Sequence, residues 1–212
     1  MKVTLISLYP SIEGFGIRTL SACLKREGHD TQLIFLRRDF WNRYNDETLN
    51  KVVELSKGAD LVGISLMTNF FDNAIQVTQR IKKTLNIPVL WGGIHPTIRP
   101  QECLDYADMV CIGEGEETLV DFLKRPISGQ YFRNVEGMWF KDKENIIKNK
   151  LRMLNQDLDS IPFPDYDYER HYMLNNGSIS KMDRGLLKRY TDGVYMTLPT
   201  RGCPFGCTYC CN

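Results

Sequence analysis

The sequence predicts an α/β fold in which a doubly wound, five-stranded parallel sheet carries helices on both faces. Two observations support this prediction. Through residues 1–126, five short apolar segments rich in β-branched residues alternate with amphipathic segments of helical spacing, which is the rhythm of βαβ units. Glycine or hydroxyl-bearing residues follow four of the apolar segments, where the carboxyl ends of parallel strands form ligand-binding loops. Right-handed crossovers are the default for such connections.

The first predicted strand, residues 2–8, is apolar without alternation and is therefore expected to be buried on both faces. Gly28 ends the first helix, and Pro88 is tolerated because it stands at the start of the fourth strand. Asn69 and Asp72 offer capping oxygens for the third helix, which runs to Leu85. The other strands are 30–36, 60–66, 87–91 and 108–112, and the other helices are 15–27, 46–57, 100–105 and 117–124.

The pattern changes after residue 126. A polar turn separates residues 135–140 from residues 146–147, and this arrangement predicts a β-hairpin. Prolines stiffen residues 158–167, which we interpret as an extended linker.

The last part of the chain is harder to interpret. Residues 168–190 are ambiguous, with helix favoured around an exposed loop at 175–177, and residues 193–198 predict a strand that leads into the C-terminal segment. The predicted division is an α/β domain at 1–126, a hairpin and linker at 127–168, and the start of another domain at 169–212.

Composition excludes several classes of protein. The 212 residues are 42% hydrophobic with a net charge of +1, which is ordinary for a globular chain and gives no argument for nucleic-acid binding. The basic residues between 181 and 189 are interpreted as a solvated face. The apolar runs are shorter than the roughly 20 residues that span a bilayer. The N-terminus has no signal-peptide cleavage site, so we expect no membrane partner and a cytoplasmic location.

Four of the seven cysteines lie in the last ten residues. Thiolates select iron–sulfur clusters, zinc or Cu(I). Three of these cysteines would leave one iron of a four-iron cluster without a protein ligand and free to hold a substrate or cofactor. The candidate metal ligands, at C-x3-C-x2-C spacing, are Cys203, Cys207 and Cys210. The cysteines predicted to fill the core are Cys23, Cys103 and Cys111.

Candidate ligand-binding residues follow the first, third, fourth and fifth predicted strands. Glycine there lets a large flat ligand approach the backbone closely. Each loop alone is explained by the usual glycine content of turns, whereas the four loops together favour a ligand. The candidate residues are Gly14, Ser65, Thr68, Gly92, Gly93, His95, Gly113 and Glu114.

The acidic character of the fifth loop bears on the identity of the ligand. Glu114 and Glu116 would repel a pyrophosphate but can accept hydrogen bonds from hydroxyl or amide groups. A ligand edged with amides and a sugar therefore fits better than a bare dinucleotide. The dinucleotide fingerprint is only half matched, because Thr19 replaces its third glycine. His95 could bind the ligand or a metal, or could cap the following turn.

The cysteine spacing, preceded by Thr200-Arg201-Gly202 and with Tyr209 before the third cysteine, resembles the cluster loop of radical S-adenosylmethionine (radical SAM) enzymes. The upstream part resembles the cobalamin-binding domain that precedes the radical SAM barrel in one large subclass, and the resemblance covers essentially the whole chain. The matching upstream segments are 63–65, 92–97, 113–116 and 158–164.

This resemblance implies a flavodoxin- or Rossmann-like cobalamin-binding fold with the corrinoid at the four loops. It also implies a 4Fe-4S cluster on the three cysteines, which would chelate S-adenosylmethionine and cleave it reductively to a 5′-deoxyadenosyl radical for methyl transfer. Residues 9–14 lack the cobalt-ligating histidine motif of other cobalamin proteins, so we expect no histidine ligand from that loop. Residues 193–198 would be the first strand of an incomplete barrel, and we expect this chain alone to be inactive.

Two other functions are consistent with parts of the sequence. The first is a corrinoid-free interaction or scaffold domain whose cysteines are free or bind zinc, although the adjacent Cys210 and Cys211 cannot easily ligate one tetrahedral ion together. The second is a nicotinamide-binding dehydrogenase fragment, which rests on the half-matched fingerprint. Small-molecule cofactors are the expected partners, and the substrate lies beyond inference from the sequence.

Overall fold

A computed structural model describes residues 1–38, 41–125, 134–191, 194, 198, 200–208 and 210. The described strands are β1 (Lys2–Ser7), β2 (Asp30–Phe35), β3 (Leu61–Ser65), β4 (Val89–Gly92), β5 (Met109–Cys111), β6 (Met138–Asp142), β7 (Asn145–Lys148), β8 (His171–Asn175) and β9 (Ser178–Lys181). The helices are α1 (Phe15–Arg26), α2 (Asp46–Ser56), α3 (Phe71–Thr84), α4 (Ile94–Ile98), α5 (Pro100–Cys103), α6 (Glu116–Leu123) and α7 (Arg184–Thr191). Short 3-10 turns cover Thr68–Phe70, Leu158–Ser160 and Tyr168–Arg170.

The five predicted parallel strands are confirmed, in the order β5-β4-β3-β1-β2. The order reverses between β1 and β3, and this topological switch point is where open α/β sheets bind ligands. Strand β1 is buried on both faces as predicted, because Leu5 packs toward α1 and α6 while Ile6 packs toward α2 and α3. The doubly wound fold class is therefore correct.

The sheet is wider than predicted, since hairpins extend it at both edges. The predicted hairpin forms β6 and β7 and adds to β5 in the antiparallel direction. Strand β8 adds to β2 in parallel, and β9 returns beside it. The division of the chain at 126 and 168 stays a prediction, and strands from all three parts hydrogen-bond in this one sheet.

The helix favoured across residues 168–190 is wrong for the first half of that range, which forms the β8–β9 hairpin. Asn176 and Gly177 occupy its turn with φ of 47° and 88°, and an Asn-Gly pair with both φ positive is a preferred two-residue hairpin turn. The helix prediction is confirmed only at the C-terminal end of this range, where α7 lies. The strand predicted at 193–198 lies outside the described residues except for positions 194 and 198.

Three local predictions are corrected in the segments around the fourth strand. Residues 92–96 were expected to be a loop, but residues 94–98 form α4, and α5 is shorter than the predicted helix at 100–105. Among the described residues, neither Asn69 nor Asp72 caps α3; Phe70 occupies the N-cap position without a side-chain hydrogen bond. A 3-10 turn leads directly into α3 and replaces the predicted cap.

A buried polar network attaches the linker after β7 to the sheet. Arg18 is fully buried and donates from Nε to the Ile12 carbonyl and from Nη1 to the Asp165 carbonyl, at 3.0 and 2.7 Å. Its Nη1 also lies 3.3 Å from His171 Nδ1, and the other ring nitrogen of His171 lies 3.3 Å from the Asp165 carboxylate. Ser21 completes the set by donating to that carboxylate at 2.6 Å.

This network makes the fold sensitive to acid. Burial lowers the pKa of His171, although the hydrogen bond with Asp165 opposes the shift. Burial raises the pKa of Asp165, but hydrogen bonds from His171, Ser21 and Lys25 outweigh it and hold that pKa well below its usual range. Both groups have a depressed folded-state pKa, so their contribution to stability is lost as pH falls, below about 6.5 for His171 and below about 4 for Asp165.

We predict that the Tm of the wild-type chain is lower at about pH 5.5 than at about pH 7.5, and that H171N shrinks this difference. The more exposed His29 supplies the matched control, because H29N should shrink the difference less. Circular dichroism melting of the three chains at both pH values tests this. An unchanged pH difference in H171N would contradict the assignment.

Candidate functional site

A cleft of about 360 Å³ opens at the carboxyl ends of β1, β3, β4 and β5. The topology brings it about, because parallel strands end at the same edge of the sheet and the order reverses between β1 and β3. Helices α1 and α6 form its apolar side. The apolar side chains that line it include Leu5, Ile17, Leu20, Leu90 and Leu119.

Five of the eight candidate residues lie together in this cleft, namely Ser65, Gly92, Gly93, Gly113 and Glu114. The other three, Gly14, Thr68 and His95, are not among the described residues that line it. Gly14 is instead the N-cap of α1, with φ of 35°, and a Cβ there would lie 3.1 Å from the Ile17 side chain and 3.2 Å from the Phe35 side chain. The neighbouring Gly16 lines the cleft in its place.

Two of the cleft glycines are required by the backbone. Gly93 has φ of 101°, and a Cβ there would lie 2.8 Å from the Leu66 carbonyl oxygen. Gly113 has φ of 74°, and a Cβ there would lie 2.7 Å from a methyl group of Leu151. Gly92 is different, since a Cβ would meet only the Cβ of Cys111, at an ordinary 3.7 Å. A Cβ at position 92 would therefore be tolerated by the fold, at a residue that lines the cleft.

Thr68 and His95 meet each other beside the cleft. His95 is buried on α4, its Nδ1 lies 3.1 Å from Thr68 Oγ1, and its ring centroid lies 4.7 Å from that of Phe71. Burial lowers the pKa of His95. Its Nε2 has no hydrogen-bond partner within the described part of the chain and is 3.9 Å from Glu102. The pair faces α3 and α5, so a role for it in ligand binding stays a prediction.

Tyr9 is a cleft residue that the sequence reasoning missed. It lies two residues after β1 and lines the cleft, as Ser65 does. Burial raises the pKa of its phenol, which therefore stays protonated and available to donate. The signal that could have found it is its place immediately after the strand at the topological switch point.

The acidic pair at the rim is contacted by Arg201, which also escaped the sequence reasoning as a site residue. Arg201 Nη1 lies 3.3 Å from a Glu114 oxygen and Nη2 lies 2.6 Å from a Glu116 oxygen. Burial lowers the pKa of Arg201, but the hydrogen bond to Glu116 and the charges of both carboxylates outweigh it and raise that pKa. Both carboxylates, Glu114 and Glu116, thus form ion pairs with Arg201.

The cysteines fall into two groups. Cys23, Cys103 and Cys111 are buried, as predicted, and burial raises the pKa values of their thiols to about 11, 12 and 12. The candidate metal ligands Cys203, Cys207 and Cys210 are exposed. Within the described residues, no three His, Cys, Asp or Glu side chains are close enough to hold a metal ion. The donor chemistry fits an iron–sulfur cluster, but the three thiols do not converge in this structure.

None of the helices in the described part of the chain has the length and hydropathy needed to cross a bilayer.

A family model described as the B12 binding domain matches residues 1–123, which contain β1 to β5 and the whole cleft. The chain belongs to this B12-binding domain family. The match begins one residue before β1 and ends at Leu123, the last residue of α6. The fold, the position of the cleft and the family therefore agree.

Curated relatives are similar to the B12-binding domain and to the residues after it. An uncharacterized methyltransferase of Pyrococcus horikoshii is 30% identical over 197 residues, covering 89% of this chain and 38% of its own length. An anaerobic magnesium-protoporphyrin IX monomethyl ester cyclase of Cereibacter sphaeroides is 32% identical over 130 residues, covering 56% of this chain and 18% of its own. This chain spans 18–38% of the length of the curated relatives reported.

Solved structures share the fold. The cobalamin-dependent S-adenosylmethionine radical enzyme OxsB, with aqua-cobalamin and S-adenosylmethionine bound, superimposes with a TM-score of 0.65 at 22% identity, over 78% of this chain and 24% of OxsB. The radical S-adenosylmethionine methyltransferase TsrM of Kitasatospora setae, with cobalamin and a [4Fe-4S] cluster bound, gives a TM-score of 0.59 at 18% identity, over 76% of this chain and 31% of TsrM.

We predict that G92L weakens retention of hydroxocobalamin by at least about tenfold, because its side chain fills the cleft. The Tm should change little, since the added Cβ makes ordinary contact with Cys111. Retention is measured by corrinoid absorbance after desalting. The matched control is G185L, at a glycine of α7 that is not among the described cleft residues. Equal retention by G92L and the wild type would contradict the prediction.

Proposed function

We propose that this chain binds cobalamin in the cleft at the carboxyl ends of β1, β3, β4 and β5, and that it is the cobalamin-binding part of a radical SAM enzyme that transfers methyl groups. The observation that carries the proposal is the cleft itself. It lies at the switch point of a B12-binding domain, and Gly92, Gly93 and Gly113 keep its rim open to a flat ligand.

The cleft's chemistry supports a corrinoid. A volume of about 360 Å³ takes a drug-sized group, so it would accommodate one part of a molecule as large as cobalamin, with the remainder at the rim. The apolar walls would exclude water from that part. Tyr9 and Ser65 offer hydroxyl groups that can donate to or accept from amide-edged side chains.

When bound, cobalamin would supply a cobalt centre able to carry a methyl group. The residues of this chain would hold and orient the cofactor. Helices α1 and α6 would pack against its apolar part, and Tyr9 and Ser65 would line the floor between β1 and β3. The expectation that no histidine of residues 9–14 ligates the cobalt stays a prediction.

The second half of the proposal concerns Cys203, Cys207 and Cys210, which we assign to a 4Fe-4S cluster that binds S-adenosylmethionine in the complete protein. The spacing of the three thiols supports it, as do the [4Fe-4S] cluster bound in TsrM and the S-adenosylmethionine bound in OxsB. Because the thiols are exposed and apart in this structure, they would have to gather around the iron atoms. Inactivity of this chain alone and a cytoplasmic location also stay predictions.

The cobalamin proposal predicts that the chain, incubated with hydroxocobalamin and desalted, retains about one corrinoid per protein. The absorbance spectrum of the protein fraction measures this. Failure to retain cobalamin at micromolar protein would contradict the proposal and favour a corrinoid-free interaction domain. Thermal protection by NAD instead would favour the dehydrogenase interpretation.

The cluster proposal predicts that anaerobic reconstitution with iron and sulfide gives about four iron atoms per chain and broad absorbance at roughly 400 nm. C203S, C207S and C210S should each lose most of the iron. C211S is the matched control and should keep it, since Cys211 stands outside the C-x3-C-x2-C spacing. Zinc as the bound metal, or equal iron in C203S, would rule out the cluster.

A further inference from the structure

Two parts of the chain that are 85 residues apart in sequence meet at the rim of the cleft. Arg201 stands two residues before Cys203, and its guanidinium contacts Glu114 and Glu116, which both line the cleft. The distances are 3.3 Å to Glu114 and 2.6 Å to Glu116. The segment that carries the candidate metal ligands and the loop after β5 thus share one ion-pair cluster.

The acidic side of this cluster is fixed in place. Glu116 is the first residue of α6 and is buried, with 7% of its surface exposed. The turn before it is held by Thr118, whose hydroxyl donates to the Glu114 carbonyl at 3.0 Å. A carboxylate in the first turn of a helix is also favoured by the helix dipole. The two carboxylates therefore form a preset anchor for the guanidinium.

The cysteine segment has little else to hold it. Residues 202–208 and 210 are exposed. In the described part of 200–210, the side-chain hydrogen bonds and ion pairs to the rest of the chain all come from Arg201. A fully exposed ion pair would contribute little, but Glu116 is desolvated, and a guanidinium can engage two carboxylates at once through its planar fork.

We propose that Arg201 is a positioning residue that docks the three-cysteine segment at the rim of the cobalamin cleft through Glu114 and Glu116. The meaning of this docking rests on the proposed function, because it sets the metal-binding segment next to the cofactor cleft. It also neutralises two carboxylates that would otherwise face the bound ligand. The contact joins side chains of this chain alone and can be measured separately from cofactor binding.

Trypsin provides a direct measurement, because it cleaves after arginine and lysine, and the Arg201–Gly202 bond becomes accessible only when the side chain leaves its anchor. Cleavage then follows the population of the undocked state. We expect E116Q to speed cleavage at this bond by about tenfold, since a charged hydrogen bond is lost. E117Q is the matched control: Glu117 lies next along α6 and is exposed, and its variant should be cleaved at the wild-type rate.

The Lys57–Gly58 bond, at the exposed end of α2, is the internal control for unfolding and should be cleaved equally in all chains. R201K keeps a trypsin site without altering a buried carboxylate, and should be cleaved several-fold faster than the wild type because lysine lacks the fork. If E116Q destabilises the fold and accelerates cleavage at both bonds, the cleavage rate of R201K still tests the proposal. The proposal would be overturned if R201K were cleaved after residue 201 at the wild-type rate. It would also be overturned if E116Q were, while its Lys57–Gly58 cleavage is unchanged.

The same digestion with hydroxocobalamin present separates this proposal from the proposed function. Normal protection of Arg201 in a chain that retains no cobalamin would contradict cobalamin binding alone. Retained cobalamin with unprotected Arg201 would contradict the docking alone. After reconstitution, the charge exchange R201E with E116R should restore the iron content that either single reversal loses, whereas an Arg201 that only fills space would show no such rescue.

Discussion

The buried guanidinium of Arg18 is the constraint on which the arrangement of this chain depends. Removing a charge from water is costly unless other contacts replace the water. Arg18 donates to the backbone at Ile12 and Asp165 and stacks between the rings of Phe35 and Tyr166 at 4.6 Å each, while its Nη2 has no hydrogen-bond partner among the described residues. Those partners come from the loop after β1, from β2 and from the linker. The network thus fixes α1, whose other side forms a wall of the cleft, and it fixes the path of the chain into β8.

The core of the fold could be predicted because local patterns determine it. The β-branched segments and helical spacings up to residue 123 each carry their own periodicity, and the strand boundaries were placed within about two residues. The β8–β9 hairpin was harder, since β8 pairs with β2 from a distant part of the sequence and no local pattern records that partner. The Asn176–Gly177 turn was a local signal, but it was interpreted as an exposed loop within a helical region and not as a hairpin turn.

The site was predictable to the extent that topology alone gathers it. Parallel strands must end at one edge, so Ser65, Gly92, Gly93, Gly113 and Glu114 come together. Topology does not decide in which direction the side chains point in the segment that follows each strand. His95 lies on α4 and turns toward Thr68, and Tyr9 turns into the cleft. The contact between Arg201 and Glu116 joins two segments that share no sequence pattern, so it could not be predicted from the sequence.

The hairpins at the two ends of the sheet also bear on how the cobalamin-binding part can be isolated. Strands β2 and β5 are the outer members of the parallel core, and β8 and β6 supply their outward hydrogen bonds. A chain cut after α6 would leave both borders with unpaired N–H and C=O groups and would uncover the buried residues of β5, which is the kind of border that recruits strands from other molecules. The residues after 134 therefore cover both borders of the parallel core and belong in any fragment made to isolate it.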